Sequence, residues 1–267
     1  DSNMIEDPAL ERFLAADPRH RAVVAFEIWF ELYKQRSLAG LLRGLEIMGR
    51  FPDQLLVLRA SGEIMRLDPW APDLLGRMEI QGSGHSVREM VAALSPAADM
   101  NPAAHADLLA KWDWAADLNL AMLEGAQDIL TSLPEMQEQL FDTAEIGLLR
   151  KGGEPSRDMY HIVFAATDQL WQEFCRMRDM DWRIWVDRRG GTLLYRVSLG
   201  ILVYLLWWIS KGSQSRKKLE ATRNDVIDLL LAAQATYFDG LLTQDQKAAD
   251  IHARLRDALA RFYSWDA

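Results

Sequence analysis

Carboxylates recur at the edges of apolar runs near the C-terminal end of the chain, in the stretch RNDVIDLLLAAQATYFDGLLTQDQKAADI. Asp225 and Asp228 stand where the pattern predicts the start of a helix. Asp239 and Asp245 bracket Gly240–Leu242, a short apolar segment typical of a strand. Acidic residues at such places either cap helices or converge on a metal ion, because Mg²⁺ prefers oxygen ligands. The stretch by itself leaves both interpretations open.

Two further carboxylates stand far from this stretch, Asp1 in the opening DSN and Glu31 in FELYK. Taken singly, each acid has an ordinary interpretation. Asp225 would cap a helix starting at Val226, Asp245 would cap the last helix, and Glu31 would lie on a solvated face. Acids at widely separated positions also suit a site for a hard divalent cation. Their joint order, with a strand-like segment before the last acid, favours the cation site.

The elements that would position these acids form an α/β pattern interrupted by helices. A helical face over residues 38–48 is followed by QLLVLRA, a compact apolar run typical of a buried parallel strand. Helical spacing then dominates from residue 82 to 190. After it we predict a helix, the strand Gly240–Leu242 and a terminal amphipathic helix, so that Asp245 would emerge at the carboxyl end of a strand, where ligands bind in parallel sheets. The predicted domains are therefore 1–81 and 191–267, two halves of one α/β domain, with 82–190 as a helical insertion.

Composition narrows the function classes. The chain has 267 residues and a formal charge of −9, which argues against a broad basic surface for nucleic acid. A nuclease remains compatible, because metal ions supply positive charge locally. Cys175 is the single cysteine, so an internal disulfide and a thiolate zinc site are excluded, and we expect a cytoplasmic protein without a signal peptide.

The most apolar run is VSLGILVYLLWWIS, residues 197–210. A membrane span needs about 20 such residues, and this run is shorter. We therefore predict a buried helix and no stable membrane insertion. A membrane-associated protein is the alternative that this run supports.

The constellation resembles the PIN-domain ribonuclease family in DSN, in the glutamate of FELYK, in QLLVLRA and in NDVIDLLLAAQATYFDGLLTQD. The resemblance covers residues 1–68 and 215–262. It implies a three-layer α/β/α fold with a central parallel sheet, interrupted here by the helical insertion. It also implies hydrolysis of single-stranded RNA by Mg²⁺ or Mn²⁺ bound to acidic residues. The residues that it assigns to this site are Asp1, Glu31, Asp225 and Asp245 as metal ligands and Asn3 and Thr243 as their polar companions.

The residues themselves add one ligand candidate and one phosphate contact. Asp228 lies one turn after Asp225 and would share its face. The basic segment SQSRKKLEATR, residues 213–223, would contact phosphates or form a solvated helix start. The chain departs from the family at its beginning, since a strand normally precedes the first aspartate. We expect a few residues before Asp1; Met4 as the true start is the alternative.

We thus predict a divalent-metal-dependent endoribonuclease that acts on RNA. A structure-specific DNA nuclease with the same chemistry is one alternative, and a non-catalytic helical interaction or membrane-associated protein is the other. A protein inhibitor and a second copy of the chain are the further partners considered. The sequence does not specify the RNA target, the oligomeric state or the role of the insertion.

Overall fold

Helices dominate the computed structural model, which describes residues 2–82, 87–89, 91–92, 94, 101–213 and 219–265. Of the described residues, 74% are helical and 3% are in strands. The predicted three-layer α/β/α fold with a central parallel sheet is therefore wrong. The described part of the chain has two strands, β1 (Ala22–Val24) and β2 (Leu55–Val57), which pair in parallel.

The first compact unit comprises residues 1–64, 73–122 and 242–244. Its helices in chain order are α1 (Pro8–Ala16), α2 (Phe26–Lys34), α3 (Leu38–Arg50), α4 (Ser61–Ile64) and α5 (Leu74–Met78). The prediction of a helix followed by the strand QLLVLRA is confirmed here, because α3 leads into β2 through a short 3₁₀ turn, Pro52–Gln54. The strands β1 and β2, of three residues each, form one short parallel ladder. The helices α2 and α3 supply most of the buried side chains around it.

The second unit comprises residues 65–72, 123–241 and 245–267. The long helix α6 (Pro102–Leu140) contributes its second half, and the other helices are α7 (Thr143–Arg150), α8 (Arg157–Met177), α9 (Leu193–Ser210), α10 (Leu219–Ala235) and α11 (Gln246–Trp265). A 3₁₀ helix, Trp182–Gly191, joins α8 to α9. The helices predicted for the insertion are present. The division into domains at 82 and 190 stays a prediction.

The helix α9 forms the centre of the second unit. It is apolar on every side and packs against α7, α8, α10 and α11. Within the described residues it is the one helix that is long and apolar enough to cross a membrane, and 89% of it is buried inside the protein. The predicted buried helix is therefore observed. Because α7, α8, α10 and α11 pack against it, burial within the second unit accounts for the apolar composition of α9.

The predicted strand Gly240–Leu242 is absent. These residues have no regular structure, and Leu242 is 44% exposed. A strand at the centre of a sheet needs an apolar run that is covered on both faces. Three residues between Asp239 and a polar TQD segment do not provide one, and the carboxyl edge at which Asp245 was expected to emerge does not exist.

Candidate acidic site

Three of the predicted ligands lie close together in the second unit. Asp225 and Asp228 are three residues apart on α10 and share one face of that helix. Asp245 immediately precedes α11. All three surround Lys247, which lies in the first turn of α11. We call Asp225, Asp228, Asp245 and Lys247 the acidic site.

Asp225 is the most deeply placed member of the acidic site, with 2% of its surface exposed. The Tyr204 hydroxyl of α9 donates to its Oδ2 at 2.6 Å. The Lys247 ammonium donates to its Oδ1. Asp225 does not cap a helix at Val226, because α10 already begins at Leu219. Its carboxylate instead joins α9, α10 and α11.

The Lys247 ammonium also lies 2.8 Å from Asp228 Oδ2. Burial raises the pKa of Asp228, Lys247 opposes this rise, and the negative charges of Asp245 and Asp225 add to it. Burial disfavours the charge on Lys247, but Asp228 and Asp225 outweigh burial and raise the pKa of its ammonium. Negative charge is therefore crowded at Asp228 even with one lysine among the three carboxylates.

Asp245 is an N-cap, as its ordinary interpretation predicted. Its Oδ1 accepts the backbone N–H groups of Lys247 at 2.7 Å and of Ala248 at 3.2 Å. This satisfies donors that the first turn of α11 leaves without helical partners. The cap also fixes Lys247 two residues after Asp245, and the lysine side chain reaches Asp225 and Asp228 of α10.

A small apolar cleft adjoins Asp225. Its other lining residues are Ile129, Val197, Ile201, Tyr204, Thr222, Val226, Leu229 and Leu230. The Thr222 hydroxyl is buried there without a hydrogen-bond partner. The enclosed space is about 40 Å³, enough for a water molecule or the end of a side chain and too small for a nucleobase.

The other described residues of the predicted site lie in the first unit. Glu31 is in the first unit, on α2, where it pairs with Lys34 one turn away. Its Oε1 is buried without a hydrogen-bond partner. Asn3 is exposed in a 3₁₀ turn, and Thr243 is half-buried in the irregular segment before α11.

Asp1 and residues 214–218 of the basic segment lie outside the described residues. Arg223, the last residue of the basic segment, is described, and its guanidinium donates to Asn224 Oδ1 at 2.5 Å.

The sequence analysis identified neither Lys247 nor Tyr204, whose hydroxyl binds Asp225. The place of Lys247, two residues after an acidic N-cap and in the first turn of a helix, marks it as near Asp245 but does not indicate that its side chain turns towards α10. Tyr204 gave no such signal, since it sits within an apolar run whose residues are nearly all buried.

The chemistry of the acidic site suits a hard cation in part. Three carboxylates supply oxygen ligands of the kind that Mg²⁺ and Mn²⁺ prefer, and the Lys247 ammonium is a positive charge standing among them. In this arrangement, however, no three His, Cys, Asp or Glu side chains of the described residues are spaced to hold a metal ion. A cation would have to displace the ammonium from between Asp225 and Asp228.

Comparison of the chain with protein-family models, with curated proteins and with solved structures gives no match. The PIN-domain resemblance has no support from these comparisons. The acidic site and its surroundings must therefore carry any functional conclusion.

Proposed function

We propose that the chain is a divalent-cation-dependent phosphodiesterase that acts on RNA, with Asp225, Asp228 and Asp245 as its carboxylate ligands. The observation that carries the proposal is geometric: Asp225 and Asp228 share one ammonium, that of Lys247, and Asp245 binds the backbone N–H of the same lysine. Burial raises the pKa of Asp228, and the negative charges of Asp245 and Asp225 add to that rise. A cation of charge two would relieve this repulsion more fully than Lys247 does. Mg²⁺ and Mn²⁺ are the ions that such a ligand set favours.

The bound cation would supply an activated water and neutralise charge on the phosphate. The residues of the chain have separate roles. Tyr204 holds the Asp225 carboxylate in one orientation through its hydrogen bond. The cap at Asp245 fixes that carboxylate relative to α11. Lys247 balances the negative charge of the carboxylates when no cation is bound. When a cation displaces its ammonium, Lys247 would be free to approach a phosphate.

Asp1 and Glu31 stay predicted ligands, and nothing in the proposal depends on them. A DNA substrate also remains a prediction, because the same ligands would serve either nucleic acid. RNA stays the predicted substrate, and residues 219–223 of the basic segment lie at the start of α10, the helix that carries Asp225 and Asp228.

The decisive assay compares Mn²⁺-dependent cleavage of single-stranded RNA by the wild type, Asp225→Asn and Asp245→Asn. Asparagine caps helices about as well as aspartate, so Asp245→Asn removes the charge and keeps the cap. We expect each variant to cleave about 100-fold more slowly or worse, with α11 intact by circular dichroism.

Asp239→Asn is the matched control, because Asp239 is an exposed aspartate a few residues before Asp245. It should cleave at the wild-type rate. A parallel assay on single-stranded and flap DNA separates the RNA and DNA alternatives. Equal residual cleavage by all four proteins would indicate a contaminating nuclease and would refute the proposal.

A second candidate is a non-catalytic helical interaction protein in which the acidic site is structural. It is favoured by the contacts of the acids, since Asp245 caps α11 and Lys247 joins Asp225 to Asp228. For this candidate, Mn²⁺ should leave the stability of the protein unchanged. For the phosphodiesterase, Mn²⁺ at 100 times its dissociation constant should add about 2.7 kcal/mol to the free energy of unfolding.

A further inference from the structure

Exposed aromatic rings and an arginine meet on one surface of the second unit. The Arg188 guanidinium lies 4.6 Å from the centroid of the Trp70 ring. Trp70 is 46% exposed and Tyr263 is 48% exposed. Arg183, earlier in the same segment, is exposed and has its own contacts, with the Trp182 ring and Asp181. We call Trp70, Arg188 and Tyr263 the Trp–Arg surface.

The glycine pair Gly190–Gly191 brings these residues together. A side-chain carbon at Gly190 would lie 3.0 Å from the Tyr263 hydroxyl, and one at Gly191 would lie 3.2 Å from Pro69 Cβ. Both contacts are tighter than side chains normally allow. The end of α11 and the loop that carries Trp70 can therefore approach the 3₁₀ helix only because both positions are glycine.

The two segments that supply Arg188 and Tyr263 are rich in arginine. Residues 176–189 and 251–265 together contain eight arginines, no lysine and four aspartates, whereas the chain carries −9. Several of the arginines form ion pairs, such as Arg189 with Asp168 and Arg261 with Asp257. For Arg188 the described residues provide the Trp70 ring as its contact and no ion pair.

Three aspartates lie close in sequence to Trp70, Arg183 and Arg188. The Asp68 carboxylate accepts the backbone N–H of Trp70 at 2.8 Å and so shapes the turn that presents the ring. Asp181 lies 3.5 Å from Arg183 and is half exposed. Asp187 precedes Arg188 in sequence.

We propose that the Trp–Arg surface binds single-stranded RNA, with bases stacked on Trp70 and Tyr263 and a phosphate bound by Arg188. Aromatic rings beside arginines are the usual means of holding unpaired bases, since every base offers a face for stacking. The exclusive use of arginine also fits, because its planar guanidinium stacks on rings and binds phosphate through two hydrogen bonds. An anionic lipid surface would be served equally by lysine, which these segments lack.

This inference rests on the proposed function for its choice of RNA, but the two are tested separately. Binding is measured in EDTA, where cleavage is blocked, by the fluorescence anisotropy of a labelled 12-nucleotide oligo(U). The full chain is used, as wild type and as Trp70→Ala, Trp70→Phe and Arg188→Ala. The matched control variants are Trp114→Ala and Arg43→Ala, which remove an exposed tryptophan and an exposed arginine from the first unit.

We expect Trp70→Ala to weaken binding about tenfold and Trp70→Phe to stay within about threefold of the wild type, because phenylalanine still stacks. Arg188→Ala should weaken binding and lower the slope of log K against log salt by about one. The first-unit controls should bind as the wild type does. Retention of binding by Trp70→Phe shows that a loss in Trp70→Ala is not caused by unfolding.

Three outcomes would overturn the inference: no binding of oligo(U) by the wild type, equal binding by all variants, or binding to phosphatidylserine vesicles in place of RNA. RNA binding in EDTA without any Mn²⁺-dependent cleavage would support the Trp–Arg surface and refute the phosphodiesterase. If Trp70→Ala and Arg188→Ala cleave and bind RNA as the wild type does, the phosphodiesterase is supported and the Trp–Arg surface is refuted.

Discussion

Each compact unit contains a partly or fully buried carboxylate paired with a lysine, and the two pairs differ in what they join. In the first unit Glu31 and Lys34 are one turn apart on the same helix, α2. In the second unit Lys247 of α11 reaches Asp225 and Asp228 of α10. A pair within one helix stabilises that helix by a few tenths of a kcal/mol. A pair between helices fixes how they pack, and its loss leaves buried charge behind.

The largest contrast should come from removing the two lysines. Lys247→Met leaves Asp225 buried without its ammonium partner, and we expect the free energy of unfolding to fall by about 3–5 kcal/mol. Lys34→Met should lower it by less than about 1 kcal/mol, because that pair is local and partly exposed. Urea unfolding followed by circular dichroism measures both. Equal losses in the two variants would contradict the distinction between the pairs.

A smaller effect is expected from the hydroxyl that holds Asp225. Tyr204→Phe removes a hydrogen bond to a buried carboxylate and should lower the free energy of unfolding by about 1.5–3 kcal/mol. Tyr160→Phe is the matched control, since the Tyr160 hydroxyl donates to Asp257 at a partly exposed position, 3.1 Å away. Its loss should be below about 1 kcal/mol. If Tyr204→Phe costs no more than the control, Asp225 does not depend on Tyr204.

The N-cap at Asp245 should contribute less to the free energy of unfolding than the Tyr204 hydrogen bond does. Asp245→Ala is expected to destabilise the protein by about 0.5–2 kcal/mol, and Asp245→Asn by a few tenths at most. Asp142→Ala tests a comparable cap at the start of α7, which carries a full capping box with Glu145. Thermal unfolding of the four proteins gives the comparison. A loss in Asp245→Asn as large as in Asp245→Ala would show that the charge of Asp245 matters for folding more than its cap does.

The smallest predicted effect concerns pH. Burial lowers the pKa of His252 below 6.5, and the charge of Arg256 lowers it further, although a backbone contact with Ala235 opposes the shift. The unfolded chain therefore binds more protons at this residue than the native chain does. This part of the stability is present above pH 6.5 and is lost as the pH falls below that value.

Urea midpoints of the wild type and of His252→Gln between pH 5 and 8 measure this effect. The wild type should lose more stability than the variant over the acid part of this range. Asp228 acts in the opposite direction at lower pH, because its pKa is raised and its ionisation in the native state is disfavoured. Parallel profiles for the two proteins would show that His252 does not contribute.

The sequence allowed local elements to be predicted better than their assembly. The helices, the strand at QLLVLRA and the buried nature of α9 follow from apolar spacing, which reports the burial of one element at a time. The sheet could not be judged in this way, because a run such as Gly240–Leu242 satisfies the composition of a strand without the partners that a strand requires. Pairing of distant segments is a property of the whole chain.

The acidic site too could be predicted in part, in its carboxylates but not in the lysine that contacts them. The sequence analysis placed Asp225, Asp228 and Asp245 in one predicted site with Asp1 and Glu31, on the basis of a helix start and a strand that the structure does not have. The cap at Asp245 was one of the interpretations offered. The presence of Lys247 among the carboxylates was not expected, since a lysine in a first helical turn normally points to solvent. A single long side chain thus changes the electrostatics of a site whose carboxylates are visible in the sequence.

A calorimetric titration with Mn²⁺ tests most directly whether the three carboxylates hold a cation. The wild type should bind about one ion per chain with saturable heat, and Asp225→Asn should bind none under the same conditions. Asp239→Asn should behave as the wild type does. A wild-type titration that shows only heat of dilution, identical to that of Asp225→Asn, would leave Lys247 as the sole cation of the acidic site and would contradict the proposed function.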